Sequence, residues 1–400
     1  MDMSTRRYAF SQRAENLTSS AIREILKITE RPEVISFAGG LPSPKGFPVA
    51  ELKAAFDRVL QDQGTVALQY GPTEGYAPLR EWVAEDLRRT GADVSADEVL
   101  IVSGSQQALD MLGKLYIDAG SPVLVEAPSY LGALQSFSLF EPRFVSTPTD
   151  DRGLIPEALT DERTAGARFI YVLPNFQNPT GLTLDLARRK ALVERCAQLD
   201  LPIIEDDPYG ELRYSGEPLP GLLGLGRAAG ATVIRLGTFS KVLAPGLRLG
   251  YVVAPREIIS KLVQIKQATD LHTASLTQMA VYEAVSTGFL DTHLPKVREL
   301  YKQQCAYMLD ALAQHFPKSV QWTRPEGGMF IWVTMPDHIN SQELLRAAID
   351  EYVAFVPGAP FFAGVEPQHN TMRLSFVTVP EDRIRAGVAT LGRLIGQRER

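Results

Sequence analysis

The sequence is poor in the residues that build disulfide frameworks and zinc sites. Its 400 residues include only two cysteines, Cys196 and Cys305, which lie far apart and form no CxxC pair. Two free thiols in a reducing cytosol are therefore predicted instead of a disulfide framework. No two of the five histidines stand four residues apart, so no zinc-binding pair on a helix is indicated and no metal site is predicted.

Long apolar stretches and basic runs are also lacking. No run of about 18 apolar residues occurs, so no membrane-spanning helix is expected. The N-terminal residues 1–13 are polar and lack the apolar segment of a signal peptide. The net charge is −6 and no basic stretch extends beyond a few residues, so a nucleic-acid-binding surface is not indicated. We expect a cytoplasmic protein that binds neither membranes nor nucleic acids.

The length of the chain predicts two joined domains, because 400 residues exceed what one hydrophobic core usually serves. Short apolar strands alternate with amphipathic helices over residues 49–285, which predicts an α/β domain with a mainly parallel sheet covered on both faces. Residues 286–400 begin with a long helix and continue with the short strands GGMFIWVTM, VAFVPG and TMRLSFVTV, which indicates a smaller α+β domain. Residues 1–48 are assigned to the smaller domain as an arm with a helix, SAIREILKITE, that Ser20 could cap.

Ligands of α/β proteins bind at the carboxyl ends of strands, and four predicted strand ends carry unusual residues. After EVLIVSG, Ser105 and Gln106 begin a helix whose free N–H groups suit a phosphate, although any α/β protein has such a helix start. After ARFIYVLP, the octet PNFQNPTG contains Asn178, whose amide could donate to a ligand oxygen. A simple turn is the alternative.

The third strand end, LPIIEDDPYG, carries three consecutive carboxylates, Glu205, Asp206 and Asp207. Strand alternation sends Asp206 to one face of the sheet and its two neighbours to the other. A solvated strand end, a magnesium site and one buried aspartate paired with a cationic ligand nitrogen are all compatible with this pattern. Tyr209 could place a phenol beside the same ligand.

The fourth strand end is LGTFSKVLAPGLRLG, with Thr238, Ser240, Lys241 and Arg248. A single lysine is more often a surface residue, but apolar residues follow this one directly. Two hydroxyls, a lysine and an arginine near one strand end suit a ligand that has both a phosphate and a carbonyl carbon. Pyridoxal 5′-phosphate fits all four strand ends, because it has a phosphate, a pyridine nitrogen, a phenolic oxygen and an aldehyde.

The sequence resembles the fold-type I pyridoxal-phosphate-dependent aminotransferases of class I/II, in particular bacterial 2-aminoadipate aminotransferases of the lysine-biosynthesis type and kynurenine/2-aminoadipate aminotransferases. The resemblance extends from about residue 20 to residue 380. It implies an α/β fold with a large cofactor-binding domain, built on a mainly parallel seven-stranded sheet between helices, and a smaller α+β domain. The matching segments are ISFAGGLPSP, ALQYGPTEGYAPLRE, SGSQQALD, VEAPSYLGALQ, NFQNPTGLT, IIEDDPYGEL, LGTFSKVLAPGLRLGY, ATDLHT, RPEGGMFIW, VAFVPG and MRLSF.

The resemblance implies roles for residues around the cofactor ring. Lys241 matches the lysine that forms the Schiff base, and Asp206 matches the aspartate that faces the pyridine nitrogen. The family spacing D-x-x-Y to Tyr209 selects Asp206 over its neighbour. Tyr209 and Asn178 match the partners of the phenolic oxygen, and Tyr130 matches the aromatic residue that stacks on the ring.

The resemblance also implies how the phosphate is held. Ser105, Gln106, Thr238 and Arg248 match phosphate contacts. Tyr70 matches a tyrosine that reaches the phosphate of the neighbouring subunit, which implies a homodimer with shared active sites.

Substrate contacts follow from the same resemblance. Arg373 matches the arginine that binds the substrate α-carboxylate with Asn178, and Gly40 and Tyr70 match further substrate contacts. Arg23 matches an arginine that binds the distal carboxylate of 2-aminoadipate, although it could also belong to a solvated helix face. The expected donors are 2-aminoadipate, glutamate, leucine or aromatic amino acids, and the expected acceptor is a 2-oxo acid such as 2-oxoglutarate.

The reaction expected from these roles is a ping-pong transamination in which Lys241 is released by the amino acid and then transfers the Cα proton. A decarboxylase or lyase with the same cofactor is an alternative. An effector-sensing domain of a transcription regulator is another, but it would need a DNA-binding domain before the fold, and the matching motifs start near residue 20. A magnesium enzyme would leave Lys241 and Arg373 without a role.

Overall fold

The computed structural model describes residues 10–15 and 31–399. The predicted helix over residues 20–30, with Ser20 and Arg23, lies outside the described residues. The described helices are α1 (Gln12–Glu15), α2 (Val49–Ala67), α3 (Ala77–Arg89), α4 (Ser105–Tyr116), α5 (Leu131–Ser138), α6 (Asp161–Thr164), α7 (Leu186–Gln198), α8 (Leu222–Ala229), α9 (Arg256–Thr269), α10 (Ser275–Val285), α11 (Phe289–His315), α12 (Ser341–Asp350) and α13 (Glu381–Arg398). The described strands are β1 (Ile35–Ser36), β2 (Val99–Val102), β3 (Pro122–Glu126), β4 (Arg143–Thr147), β5 (Thr149–Asp150), β6 (Gly153–Leu154), β7 (Ile170–Val172), β8 (Ile203–Asp206), β9 (Val233–Thr238), β10 (Gly250–Val253), β11 (Gln321–Trp322), β12 (Phe330–Thr334), β13 (Val353–Ala354), β14 (Val356–Pro357) and β15 (Thr371–Ser375).

A seven-stranded sheet with the order β2-β10-β9-β8-β7-β3-β4 lies between two layers of helices. All neighbouring strands run parallel except β10, which is antiparallel to β2 and β9. Helices α4, α5 and α9 pack on one face, and α3, α7, α8 and α10 pack on the other. Strands β2, β7 and β8 are buried along their whole length, which explains their continuous apolar sequences. The predicted seven-stranded, mainly parallel α/β sheet is confirmed.

A second sheet, antiparallel and of order β11-β12-β15-β14, packs with α11 to α13 in the C-terminal part of the chain. Strand β1 pairs in parallel with β13, so residues 35–36 join this part. The single strand predicted for VAFVPG was wrong: β13 pairs with β1, whereas β14 pairs with β15. None of the helices in the described part of the chain is long and apolar enough to cross a membrane.

The carboxyl ends of the parallel strands bring the predicted site residues to one edge of the large sheet. Asp206 is the last residue of β8, and Thr238 is the last residue of the adjacent strand β9. Helix α4 begins at Ser105, after β2 and the connecting residues Ser103 and Gly104. Residues from three separated parts of the sequence therefore meet at this edge, where ligands of such sheets bind.

Candidate active site

A cavity of about 410 Å³ at this edge contains all but two of the predicted site residues. Those that line it are Gly40, Ser105, Gln106, Tyr130, Asn178, Asp206, Tyr209, Thr238, Lys241, Arg248 and Arg373. Of the other two, Arg23 lies outside the described residues. Tyr70 is 78% exposed and packs edge-on against His272, with 5.7 Å between the ring centroids, outside the cavity of its own chain.

Lys241 follows β9 and extends its amine across the cavity to the N-terminal segment. Its Nζ donates a hydrogen bond to the carbonyl oxygen of Gly40 over 3.0 Å. Burial, together with the positive charges of Arg373 and Arg248, lowers the pKa of this amine to about 8. About a tenth of the amine is therefore neutral at pH 7. The neutral form is the one that imine formation and proton abstraction require.

Asp206 is 3% exposed and has only one hydrogen-bonded oxygen. Oδ2 accepts a bond from the Tyr171 hydroxyl over 2.6 Å, whereas the buried Oδ1 has no partner among the described residues. Burial raises the pKa of this carboxyl to about 7, and the Tyr171 bond opposes that shift. An unpartnered buried carboxylate oxygen is costly, so the site is suited to a ligand that brings a cationic N–H.

Arg373, Asn178 and Tyr209 form a connected polar group in the lining of the cavity. Arg373 lies in β15 and donates to Asn178 Oδ1 over 2.8 Å and to the Ala38 carbonyl over 2.7 Å. Its Nε has no partner within residues 10–15 and 31–399. Its guanidinium lies 4.3 Å from the centroid of the Phe330 ring. Asn178 Nδ2 approaches the Tyr209 hydroxyl at 3.5 Å, the long limit of a hydrogen bond. Burial lowers the Arg373 pKa to about 10, so this arginine stays charged and able to bind a carboxylate.

The start of α4 and the side chain of Arg248 form a candidate anion-binding site, called the anion seat below. No side chain caps this helix end, so its first N–H groups remain available. Gly104 has φ +84°, and a Cβ there would lie 2.6 Å from Arg248 Nη2. The glycine therefore allows the guanidinium to approach the helix end. Nearby, the hydroxyl of Thr238 accepts a bond from the Ser240 N–H over 3.1 Å.

Tyr130 precedes α5 and is half-buried, with its ring packed over a glycine. A Cβ at Gly132 would lie 2.5 Å from the Tyr130 hydroxyl oxygen, so a side chain there would displace the ring. Gln106 Nε2 donates to the Gly132 carbonyl over 3.0 Å and thereby links the starts of α4 and α5. The phenol thus faces the cavity beside the anion seat.

The other two carboxylates of this acidic segment, Glu205 and Asp207, form ion pairs and do not line this cavity. Arg235 on β9 donates to Glu205 over 2.8 Å and to Asp207 over 2.7 Å. A larger cavity, of about 630 Å³, borders Arg235 and Asp207 but contains no cluster of predicted residues. No group of three or more side chains able to hold a metal ion occurs in the described ranges. Because Arg235 occupies Glu205 and Asp207, the smaller cavity that contains Asp206 is the candidate site.

Tyr171 is the one polar contact of Asp206 that the sequence analysis missed. It lies on β7, and the register pairs it with Ile204, two residues before Asp206. The available signal was a tyrosine within the buried strand FIYVLP, because a buried phenol usually has a hydrogen-bond partner. Ser240, the second hydroxyl of the fourth strand end, also lines the cavity, as do Leu41 and Leu173, which the sequence did not single out.

The residues of the cavity fit pyridoxal phosphate in the chemistry of each contact. The uncapped start of α4 with Arg248 suits the phosphate, and the unpartnered Oδ1 of Asp206 suits a protonated ring nitrogen. The Lys241 amine suits the aldehyde. The remaining unpartnered donor, Arg373 Nε, suits a substrate carboxylate.

Comparisons with known proteins identify the family of the chain. Residues 33–391 match the family "Aminotransferase class I and II". The chain is 48% identical over 392 residues to the 2-aminoadipate transaminase of Thermus thermophilus, covering 97% of this chain and 96% of that protein. It is 45% identical over 393 residues to aromatic-amino-acid aminotransferase 1 of Thermococcus litoralis, with 96% and 94% covered. The crystal structure of Pyrococcus horikoshii kynurenine aminotransferase superposes with a TM-score of 0.91 at 44% identity, with 97% of each chain covered.

The fold and the site therefore define a class of enzyme, the pyridoxal-phosphate-dependent aminotransferases. The chain belongs to the aminotransferase class I and II family. As such it acts on small-molecule amino acids and 2-oxo acids.

Proposed function

We propose that this enzyme transfers the amino group of 2-aminoadipate, glutamate, leucine or an aromatic L-amino acid to a 2-oxo acid such as 2-oxoglutarate. Support comes from relatives named for 2-aminoadipate, aromatic amino acids and kynurenine. The observation that carries the proposal is the presence of the Lys241 amine, the unpartnered Asp206 Oδ1 and the unpartnered Arg373 Nε in one cavity. A decarboxylase breaks the bond to the α-carboxylate, so it would not need an arginine that holds this group through the whole reaction.

Bound pyridoxal phosphate supplies an aldehyde that bonds to amines and a protonated ring that accepts an electron pair. We assign Asp206 to the ring nitrogen, Tyr209 and Asn178 to the phenolic oxygen, and Tyr130 to the face of the ring. The residues assigned to the phosphate are Ser105, Gln106, Thr238 and Arg248. The burial of Asp206, Asn178 and Tyr209 keeps bulk water away from their polar contacts, which strengthens each of them.

Lys241 is assigned the proton transfers of the reaction. With a pKa of about 8, its amine can take the proton from the substrate Cα as a general base. It then donates the same proton again as a general acid. The adjacent cationic side chains keep the amine from holding this proton too tightly.

Arg373 is assigned the α-carboxylate of the substrate. Its Nε is free and Asn178 braces its Nη1, so the guanidinium is already fixed before a carboxylate binds. The bond to the Ala38 carbonyl fixes Nη2 in the same way. A held carboxylate orients the Cα–H bond toward Lys241, which accelerates the transfer.

We propose that Arg23 binds the distal carboxylate of acidic substrates and that Gly40 contributes to the same substrate pocket. Leu41, which is 60% exposed, lies beside Gly40 at the cavity. An apolar side chain at this position suits leucine or an aromatic ring. Acceptance of both acidic and apolar substrates is therefore part of the proposal.

We further propose a homodimer in which Tyr70 completes the partner subunit's site. Tyr70 is largely exposed and lies outside its own cavity, and Val66 and Leu68 next to it are exposed apolar residues. Such a surface is commonly buried in an interface. Domain boundaries near residues 48 and 285 and a cytoplasmic location belong to the same proposal. The free, buried thiols of Cys196 and Cys305 are consistent with that location.

The experiment uses the purified protein with its cofactor. Borohydride reduction should fix pyridoxal phosphate to Lys241, and Lys241→Ala should be colourless and inactive. Lys261→Ala, a change at an exposed lysine outside the cavity, should retain colour and activity. Amino donors are then screened with 2-oxoglutarate. A wild-type protein that binds no pyridoxal phosphate would refute the site, and activity with leucine but not with 2-aminoadipate or glutamate would refute the role of Arg23.

A further inference from the structure

The carboxylate of Asp206 depends on a single protein donor. Within residues 10–15 and 31–399, only the Tyr171 hydroxyl donates to it, over 2.6 Å. Arg235, whose charge acts on Asp206, is engaged by Glu205 and Asp207 instead. Tyr171 therefore determines which oxygen of Asp206 is occupied and which one is free.

The position of Tyr171 is fixed by packing. The residue is fully buried, and its ring meets Phe137 edge-on with 5.7 Å between centroids and an angle of 81°. Phe137 in turn packs against Phe169 at 5.2 Å. Because strand register and the edge-on contact with Phe137 hold the ring, the hydroxyl has little freedom to leave the carboxylate.

The direction of the hydrogen bond is also fixed. Burial and the nearby charge of Asp206 raise the pKa of the Tyr171 phenol well above its usual range, so the phenol keeps its proton and donates it. The groups that act on Asp206 are Tyr171 and Arg235, which favour its charge, and Asp207, which opposes it. Tyr130 is a further neighbour whose own pKa Asp206 raises.

We propose that Tyr171 is a positioning residue for the cofactor: its bond to Oδ2 holds the Asp206 carboxylate charged and presents Oδ1 to the protonated ring nitrogen. This inference rests on the proposed role of Asp206. Without the hydroxyl, the carboxylate can rotate and more easily accepts a proton, and the ring nitrogen loses its anionic partner.

The test compares Tyr171→Phe with wild type, both as holoenzyme. Removal of a bond to a charged group should speed the loss of cofactor after dilution by about ten- to a hundredfold. The pH midpoint of the visible colour change should move upward, because a ring without its positive charge lets the Lys241 nitrogen hold its proton more tightly. Tyr116→Phe is the matched control: Tyr116 packs in the same aromatic cluster, 5.9 Å from Phe169, and makes no bond to Asp206.

Two more variants keep the result decisive. Asp206→Asn should change both readouts more than Tyr171→Phe does, and the double variant should equal Asp206→Asn alone if Tyr171 acts through Asp206. A ring-fluorinated tyrosine at position 171 keeps the shape, is a stronger donor, and should move the colour midpoint downward.

Each outcome separates the inference from the function on which it rests. If Asp206→Asn behaves as wild type, the proposed role of Asp206 fails. If Asp206→Asn alters both readouts while Tyr171→Phe matches wild type or Tyr116→Phe, only the role of Tyr171 is overturned. Additive effects in the double variant would show that Tyr171 does not act through Asp206, and its proposed positioning role would likewise be overturned.

Discussion

Replacing Arg235 with methionine should destabilise the fold far more than loss of an exposed ion pair. The guanidinium bridges Glu205, which is fully buried, and Asp207, through bonds of 2.8 and 2.7 Å. Methionine fills a similar volume but leaves both carboxylates without their cation. Glu205 keeps bonds from the N–H groups of Leu222 and Leu223, at 2.8 and 2.9 Å.

The magnitude follows from what remains after the change. Breaking a buried ion pair usually costs about 3–5 kcal/mol, because an unpaired charge stays in a poorly solvated place. The start of α8 still supplies two N–H donors to Glu205, and the Gly210 N–H still reaches Asp207 over 2.9 Å. We therefore expect a loss of about 3 kcal/mol in the free energy of unfolding, the lower end of that range.

The assay is urea unfolding followed by far-ultraviolet circular dichroism, at one protein concentration because subunit association affects the midpoint. The matched control is Arg393→Met, which removes an exposed ion pair with Glu351 and should cost about 1 kcal/mol or less. If Arg235→Met loses no more than Arg393→Met, the reasoning on buried charge is wrong here. An unchanged m value is required for the comparison.

Three further outcomes test the site. The rate at which the cofactor rebinds to the apoenzyme should increase with pH and level off above about pH 8, because the neutral Lys241 amine is the form that reacts. A rate that does not depend on pH would contradict the lowered pKa of this amine. Arg373→Lys should raise KM for the amino acid about tenfold or more, because lysine lacks the two-pronged donor, and an unchanged KM would argue against carboxylate binding. Gly104→Ala should weaken cofactor retention, because its Cβ would meet Arg248 Nη2 at 2.6 Å, whereas Gly120→Ala, with a similar φ and open space, should retain the cofactor.

The large sheet was predictable because its inner strands are buried on both faces and therefore read as continuous apolar runs. The edge strand Arg143–Thr147 gave no such signal, since four of its five residues are partly or fully exposed. The small sheet was harder still. Phe355 separates two pairs of residues that join different sheets, and no local pattern in VAFVPG reveals that division.

The site was predictable to the extent that its residues stand at fixed spacings within motifs. The D-x-x-Y spacing selected Asp206, and the structure places it with Lys241 in one cavity. The partners of the neighbouring carboxylates were not predictable in the same way. Arg235 meets Glu205 only because β8 and β9 pair with those two residues in register. Such a contact depends on strand pairing across the fold and not on the order of nearby residues.

Strand alternation explains how three adjacent carboxylates serve two unrelated purposes. Glu205 and Asp207 point to the face where Arg235 neutralises them, and Asp206 points to the opposite face, where no arginine pairs with it. An arginine paired with both oxygens of Asp206 would leave no free carboxylate oxygen to accept a hydrogen bond from a ligand. A neutral phenol, by contrast, stabilises the charge without cancelling it. A shift of β8 by one residue would exchange the two faces and place the wrong carboxylates in the cavity, so the register of this strand is itself a requirement of the site.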